Sequence, residues 1–266
     1  MRPQNLLVVV AVALAVGGAP SVGAAQATPN GYIGAGQAPK MIWVLPPPPA
    51  PGTGAEADDL KSFRDTRALE GSPRWALAIN DVSQTSEAAF LDFACALGVT
   101  LDDGTAPVLS NLLTRVGVDA RQVVDPTKDR YNRKRPYLVQ PGNICVERSD
   151  LLAASPSYPS GHSTLSWAWG LILAELAPDR STQILARARA YAESRVVCGV
   201  HYPSDIEAGR TNGSALVAAL HGSAAFREDM DKARAEIAAA RKTGSAVQPA
   251  PGQCKIEDEA EYKRPW

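Results

Sequence analysis

The pattern of hydrophobic and polar positions predicts helices over most of this chain. Apolar residues recur every three to four positions, and these segments lack the alternation that is typical of strands. After Ser223, for example, Phe226, Met230, Ala233 and Ile237 share one helix face. The predicted helices lie near residues 59–71, 83–98, 106–122, 162–177, 180–198, 204–221 and 223–242. The expected fold is therefore all-α, a compact single-domain helical bundle.

The regions on either side of this periodic part differ from it in composition. Residues 28–57 are rich in Pro and Gly and include four consecutive prolines, which favour an extended arm. We assign residues 58–245 to the helical domain. Residues 246–266 contain three further prolines, and we expect an irregular tail that Cys254 ties to the domain.

The first 27 residues are typical of an export signal. Arg2 is followed by an apolar run over residues 6–16 and by a small-residue cleavage site that ends at Ala27, with Ala24 as the alternative. The run is shorter than the roughly 18 residues that a membrane-spanning helix needs. We therefore expect a periplasmic or secreted protein without stable membrane insertion.

Charge and cysteine content exclude several classes of function. The 266 residues carry a formal net charge of -1 and no long basic run, so a nucleic-acid partner is not indicated. Four cysteines in an exported chain predict two disulfides, with three pairings open, among Cys95, Cys145, Cys198 and Cys254. Their wide spacing argues against a zinc site. No Arg follows a Cys at the spacing of the cysteine phosphatases.

One candidate site segment is Tyr158-Pro159-Ser160-Gly161-His162, which precedes a mostly apolar run. This order predicts a tight turn that enters a buried helix. A helix start has free backbone N–H groups and the positive end of the helix dipole, so Ser160, Gly161 and His162 are candidates for binding an anion.

A second candidate segment surrounds His201. Gly199 favours the end of one helix and Pro203 the start of the next, so His201 is predicted at the corner between them. Asp205 follows four residues later and can bond one imidazole nitrogen, which leaves the other nitrogen free to act as a nucleophile. The third histidine, His221, stands near a helix C-terminus, where a structural role is expected.

A third segment, residues 128–135, contains five cations. A solvated charged loop is one explanation. The other is anion binding, because Arg135 precedes Pro136 and is held extended, and because Lys128 adds a point charge.

Together these segments resemble the three-part signature that is shared by type 2 phosphatidic acid phosphatases, bacterial non-specific acid phosphatases and vanadium haloperoxidases. The matching residues are Lys128, Arg135, Pro136, Pro159, Ser160, Gly161, His162, Ser194, Arg195, His201 and Asp205. Residues 157–162 and 194–199 are most similar to the class A, secreted, non-specific acid phosphatases. Pro156 and Ser163 depart from that class, which usually has Gly and Thr there, and this bears on fine substrate preference.

The resemblance implies a role for each residue. His201 is the nucleophile that becomes phosphorylated, Asp205 orients it, and His162 protonates the leaving group and then activates water. The implied phosphate-binding residues are Lys128, Arg135, Ser160, Gly161 and Arg195. The implied substrates are small phosphate monoesters such as nucleotides, sugar phosphates and aryl phosphates. No metal or other cofactor is expected, and relatives of this class suggest a homo-oligomer.

Three alternatives share part of this signature. A vanadate-dependent haloperoxidase would use the same oxyanion cradle, with vanadate held through His201. A membrane lipid phosphatase would need spanning helices, which the sequence lacks. A non-catalytic exported phosphate-binding protein would need the cations but neither histidine. Serine hydrolase and zinc hydrolase motifs are absent.

Overall fold

The computed structural model of this protein describes residues 30–243, 249, 251–262 and 265–266. The predicted export signal, residues 1–27, lies outside these residues. The helices are α1 (Gly54–Thr66), α2 (Pro73–Asn80), α3 (Ser86–Asp92), α4 (Ala94–Leu97), α5 (Pro107–Tyr131), α6 (Asp150–Ala154), α7 (Gly161–Leu176), α8 (Ser181–Val197), α9 (Pro203–Leu220), α10 (Ala224–Thr243) and α11 (Pro251–Tyr262). No strand occurs in this part of the chain, which confirms the all-α prediction.

Helix α7 is the centre of the bundle. It is apolar on nearly all sides and packs along α8, α9 and α5. Gly209 allows the close approach of α9, because a Cβ at that position would lie 2.7 Å from the Ser160 carbonyl oxygen. At this contact the Ser160 amide donates to the Asp205 carbonyl at 3.0 Å. The start of α7 is thereby held against the start of α9.

Local signals explain the ends of the helices that carry the site. The Ser160 hydroxyl accepts from the Ser163 amide and caps α7. Gly199 has a φ of 84° and ends the turn that follows α8, and Pro203 takes the first position of α9. The helices predicted near 162–177, 180–198, 204–221 and 223–242 are confirmed to within one or two residues at each end.

The N-terminal half differs more from the prediction. Helix α1 begins at Gly54, inside the predicted arm, because the Thr53 hydroxyl accepts from the Glu56 amide and caps it. The helix predicted over 83–98 is broken into α3 and α4, and α2 was not predicted. Short amphipathic segments of four to eight residues are too brief for periodicity to define.

Helix α5 is also longer than predicted. It runs to Tyr131, where Asn132 in the left-handed conformation (φ 44°) ends it. Lys128 therefore lies in the last helical turn and not in a loop. The helix continues through Pro126, although a proline inside a helix removes one backbone hydrogen bond.

The prediction of an irregular C-terminal tail was wrong for residues 251–262. Pro251 takes the first position of α11, where its missing N–H needs no partner. Two contacts with distant residues hold this helix: the Cys95–Cys254 disulfide and the buried Glu257, whose Oε2 lies 3.6 Å from Arg187 Nε.

Two disulfides are present, as predicted. Cys95 pairs with Cys254, and Cys145 pairs with Cys198 immediately before the corner that carries His201. The arm packs Met41 and Leu45 into the main core. Within the described ranges, none of the helices combines the length and the hydropathy needed to cross a membrane.

Candidate functional site

A cavity of about 740 Å³ lies where the end of α5, the start of α7 and the α8–α9 corner meet. Its lining includes five of the predicted site residues, namely Lys128, Arg135, Gly161, His162 and His201. The other three are buried next to lining residues: Ser160 precedes Gly161 in the chain, Asp205 faces His201, and the charge of Arg195 acts on His162. The fold thus brings together all eight predicted residues from three separate segments.

His201 is only 2% exposed and is held from both sides of its ring. Its Nδ1 lies 3.4 Å from Asp205 Oδ2, and its Nε2 accepts from Arg135 Nη1 at 3.2 Å. Burial, and then the charges of Arg135 and Lys128, hold the pKa of His201 well below its ordinary value. The imidazole is therefore neutral near pH 7, with its proton on Nδ1 and its lone pair on Nε2.

His162 is the second histidine on the cavity lining. Its Nε2 donates to the Val82 carbonyl at 3.0 Å, so Nδ1 is the atom that gains or loses a proton. Burial, and then the charge of Arg195, keep the pKa of His162 well below its ordinary value. Without a bound anion both histidines are thus neutral.

Hydrogen bonds to backbone carbonyls fix the orientation of the Arg135 guanidinium. Its Nε donates to Leu152 O at 3.0 Å and to Ser155 O at 2.8 Å, and its Nη1 donates to Val200 O at 2.9 Å. Burial lowers its pKa. These contacts hold the planar group rigidly beside His201.

Lys128 and Arg195 complete a group of three cations. The Lys128 ammonium donates to the Pro156 carbonyl, and burial together with Arg135 lowers the pKa of Lys128 to about 8. Arg195 Nη1 donates to Asp81 O at 3.3 Å, its Nε has no hydrogen-bond partner in the part of the chain that the structure describes, and burial lowers its pKa to about 10. Among the described residues, no carboxylate lies within ion-pair distance of Lys128, Arg135 or Arg195. Such a group of uncompensated cations favours a polyvalent anion.

The start of α7 adds backbone donors to the same cavity. Gly161 lines it at the first position of a 16-residue helix. The free amides and the positive dipole end of such a helix start attract anions. The Ser160 hydroxyl, in contrast, is turned into the cap of the helix and bonds Ser163 Oγ at 3.0 Å.

The loop after α2 holds two residues of the site, Arg195 and His162, and the sequence did not reveal it. Consecutive carbonyls of residues 81–83 accept from Arg195, His162 and Tyr191. The Asp81 carboxylate anchors this loop, because it bonds Arg187 and the Ser194 hydroxyl, both at 2.6 Å. Backbone acceptors leave no signature in a sequence, so no motif could have identified them.

The sequence also did not predict the position of the Arg133 side chain. Arg133 belongs to the basic segment that the sequence singled out, but its side chain turns away from the cavity and binds Asp205 Oδ1 at 2.6 Å. His221 lies outside the cavity, at the C-terminal end of α9, with Nε2 3.1 Å from Glu175 Oε2.

Known proteins are similar in sequence to most of this chain. The sequence model of the PAP2 superfamily matches residues 105–228. An acid phosphatase of Zymomonas mobilis is 43% identical over 217 residues, which are 81% of this chain and 81% of that protein. A non-specific acid phosphatase of Providencia stuartii is 32% identical over 213 residues, 79% of this chain and 86% of that one.

A solved structure shares the fold. The crystal structure of a bacterial vanadium-dependent iodoperoxidase superposes with a TM-score of 0.50 at 21% identity, and the match covers 67% of this chain and 52% of that one. At that identity the likeness concerns the fold alone. The two acid phosphatase relatives, by contrast, extend over both flanks of the site. The chain therefore belongs to the PAP2 superfamily and, within it, to the bacterial acid phosphatases of the class A type.

Proposed function

We propose that this phosphatase hydrolyses a broad range of small phosphate monoesters through a phosphohistidine at His201, without a metal, in the periplasm or outside the cell. The observation that carries the proposal is a neutral His201 whose Nε2 lone pair lies within a group of three cations, none of which has a described carboxylate within ion-pair distance. Binding alone would need those cations but no oriented imidazole.

The cations and the start of α7 would bind the three non-bridging oxygens of the phosphate. Lys128, Arg135 and Arg195 supply positive charge, and the Gly161 amide supplies a neutral donor. Ser160 can join them if its hydroxyl turns from the helix cap to the phosphate. Phosphoryl transfer depends mainly on such positioned charges, because little other chemistry is required of the protein.

The reaction would proceed in two balanced steps. His201 Nε2 attacks phosphorus in line, a P–N bond forms as the ester P–O bond breaks, and the departing oxygen takes a proton from His162 Nδ1. Water then attacks the phosphohistidine and gives its proton to His162. The P–N bond breaks, phosphate is released, and both histidines return to their starting states.

The pKa shifts predict how the activity depends on pH. His162 must be protonated to act as an acid, and a bound phosphate dianion raises its low pKa by offsetting the charges of Arg195 and Arg135. Lys128, with a pKa of about 8, loses its charge as the pH rises through that value. We therefore expect an acidic to near-neutral optimum, and a steady rise of activity into alkaline pH would contradict the mechanism.

A rapid-quench experiment tests the intermediate. The enzyme is mixed with a ³²P-labelled aryl phosphate, quenched within milliseconds and digested, and the label is expected on the peptide that contains His201. The His201→Gln variant is the control and should show neither label nor turnover. A label on another residue, or no adduct in the wild type, would overturn the proposal.

A leaving-group series tests the role of His162. In the His162→Ala variant, phosphoenzyme formation from a nitrophenyl ester should be retained far better than formation from an alkyl ester, because only the alkoxide needs a proton. An equal loss on both esters would refute the acid role. A panel of nucleotide, sugar and aryl phosphates with a chelator present tests substrate breadth and metal independence.

A further inference from the structure

Arg133 forms ion pairs with two carboxylates next to the proposed nucleophile. Its Nη1 lies 2.6 Å from Asp205 Oδ1, and its Nη2 lies 2.8 Å from Asp59 Oδ2 on α1. The guanidinium also stacks over the Tyr202 ring at 4.0 Å. Its side chain is 12% exposed, and both carboxylates are buried. This arginine is thus held from three sides and does not line the cavity.

The two oxygens of Asp205 have different partners. Oδ1 binds Arg133 closely, whereas Oδ2 accepts from the Tyr202 amide at 2.9 Å and faces His201 Nδ1 at 3.4 Å. Asp205 is therefore bonded more tightly to Arg133 than to the histidine that it orients. Burial by itself lowers the pKa of Arg133, but Asp205 and Asp59 outweigh burial and raise it, so this side chain stays charged.

We propose that Arg133 is a positioning residue for the reaction, which binds Oδ1 of Asp205 and thereby directs its Oδ2 towards His201 Nδ1. The inference rests on the proposed phosphohistidine mechanism. Arg133 touches neither the cavity nor the reacting atoms, and it acts only through Asp205.

The chemical consequence concerns the proton on His201 Nδ1. When the P–N bond at Nε2 breaks, the imidazole leaves as a neutral group only if Nδ1 keeps its proton. A carboxylate whose charge is shared with a guanidinium is a weaker base towards that proton. Arg133 thus leaves Asp205 able to orient the ring but less able to deprotonate it.

Other charged and titratable groups also act on Asp205. They are Lys128 at the end of α5, Arg135 in the loop after it, Tyr158 before α7, and His201 and Tyr202 at the α8–α9 corner. Asp59 on α1 acts indirectly, because it shares Arg133 with Asp205. Lys128 and Arg135 act on Asp205 at longer range, whereas Arg133 lies within hydrogen-bond distance of its carboxylate. Removal of Arg133 leaves a buried carboxylate without a bonded cation, which favours the protonated form as the pH falls.

The test is the pH profile of kcat/KM for the Arg133→Gln variant of the full chain. We expect its acidic limb to move up by about one to three pH units, with about tenfold loss per unit below the limb and a much smaller loss near pH 7. Arg133→Lys should restore most of the wild-type profile. In rapid-quench experiments Arg133→Gln should accumulate more phosphoenzyme, because its breakdown is slowed.

Arg115 on α5 offers a matched control, because it is also an arginine that combines an ion pair with stacking on a tyrosine. It pairs with Asp229 at 3.2 Å and stacks over Tyr32 at 3.6 Å, but it lies outside the cavity. Arg115→Gln should lower thermal stability and leave the pH profile unchanged. If Arg133→Gln fails to fold, Arg133→Met, which keeps the aliphatic stem without the charge, is measured instead and should raise the acidic limb in the same way, with Asp59→Asn as a second control. Asp59→Asn should not raise the acidic limb, because Arg133 still binds Asp205.

Two outcomes would overturn the inference. An unchanged profile, or a loss that is equal at every pH, would assign Arg133 a purely structural role. Either result leaves the proposed function standing as long as the wild-type adduct maps to His201. Absence of that adduct would instead remove the mechanism on which the inference rests.

Discussion

Two buried arginines on helix α8 differ in how their charge is compensated. Arg187 lies among three carboxylates, with Asp81 at 2.6 Å, Glu257 at 3.6 Å and Asp92 at 3.8 Å. Burial alone would lower the pKa of Arg187, but Asp81 and the other two carboxylates raise it. Among the described residues, the hydrogen-bond partner of Arg195 is a carbonyl, and burial lowers its pKa to about 10.

The comparison distinguishes a buried charge that other residues of the protein neutralise from a buried charge whose counter-ion we propose to be a bound ligand. Burial of an ion is costly, and in the Arg187 cluster the protein itself supplies the counter-charge. Around Arg195, Lys128 and Arg135 none of the described carboxylates lies within ion-pair distance, which supports the proposal that a phosphate oxyanion binds there. The two clusters meet at Asp81, whose carboxylate binds Arg187 and whose carbonyl accepts from Arg195.

The largest expected effect is on activity in the variant Arg195→Met. Its kcat/KM should fall on the order of 10³-fold, because a charge that stabilises the transition state is lost. Its free energy of unfolding without phosphate should stay the same or rise, because an uncompensated buried charge is removed. Urea denaturation measures this, and a large loss of stability would contradict the comparison.

Arg187→Met should show the opposite behaviour, a loss of stability with phosphate binding retained. Removal of this cation leaves buried carboxylates uncompensated, and we expect the free energy of unfolding to fall by about 3–5 kcal/mol. At a low temperature at which Arg187→Met still folds, this variant should bind inorganic phosphate, because its three site cations remain. An unaltered denaturation midpoint would show that the cluster is not structural.

Inorganic phosphate should stabilise the wild-type protein and Arg187→Met but hardly affect Arg195→Met. At a concentration of 100 times Kd, the ligand adds about 2.7 kcal/mol to the free energy of unfolding. Thermal denaturation over a phosphate series measures the shift, with sodium chloride at equal ionic strength as the control. Equal shifts in all three proteins would indicate non-specific binding.

The smallest effect concerns stability at acidic pH. The pKa values of His162 and His201 are lowered in the folded protein, so the unfolded chain binds more protons once the pH falls below about 6.5. Their contribution to stability is therefore present above that pH and is lost as the pH falls. Phosphate should reverse the loss.

A double variant isolates this contribution. Asp92, whose pKa is raised to about 7 by burial and Asp81, has the opposite sign, because its contribution is lost as the pH rises through that value. The denaturation midpoint of the wild type is therefore compared with that of His162→Gln/His201→Gln from pH 7 to 5. Because only the wild type contains the two histidines, its midpoint should fall relative to that of the double variant as the pH falls from 7 to 5, and a constant difference would contradict the lowered pKa values of His162 and His201.

The amino-acid sequence by itself determined the helical class, four of the long helices and the short segments that contain the site residues. Each of these features depends on neighbours in the chain. The start of α7 needs only Ser160 and an apolar run, and the corner at His201 needs only Gly199 and Pro203. A signal of this kind is complete within a few residues, so it can be read without a structure.

Only the tertiary structure decided which groups hold those residues in place. Val82 meets His162 across 80 positions, Arg133 meets Asp205 across 72, and Arg195 meets Asp81 across 114. Helix α11 likewise depends on a disulfide between residues 159 positions apart. Such contacts form because distant segments pack together, and packing leaves no local pattern in the residues that it joins.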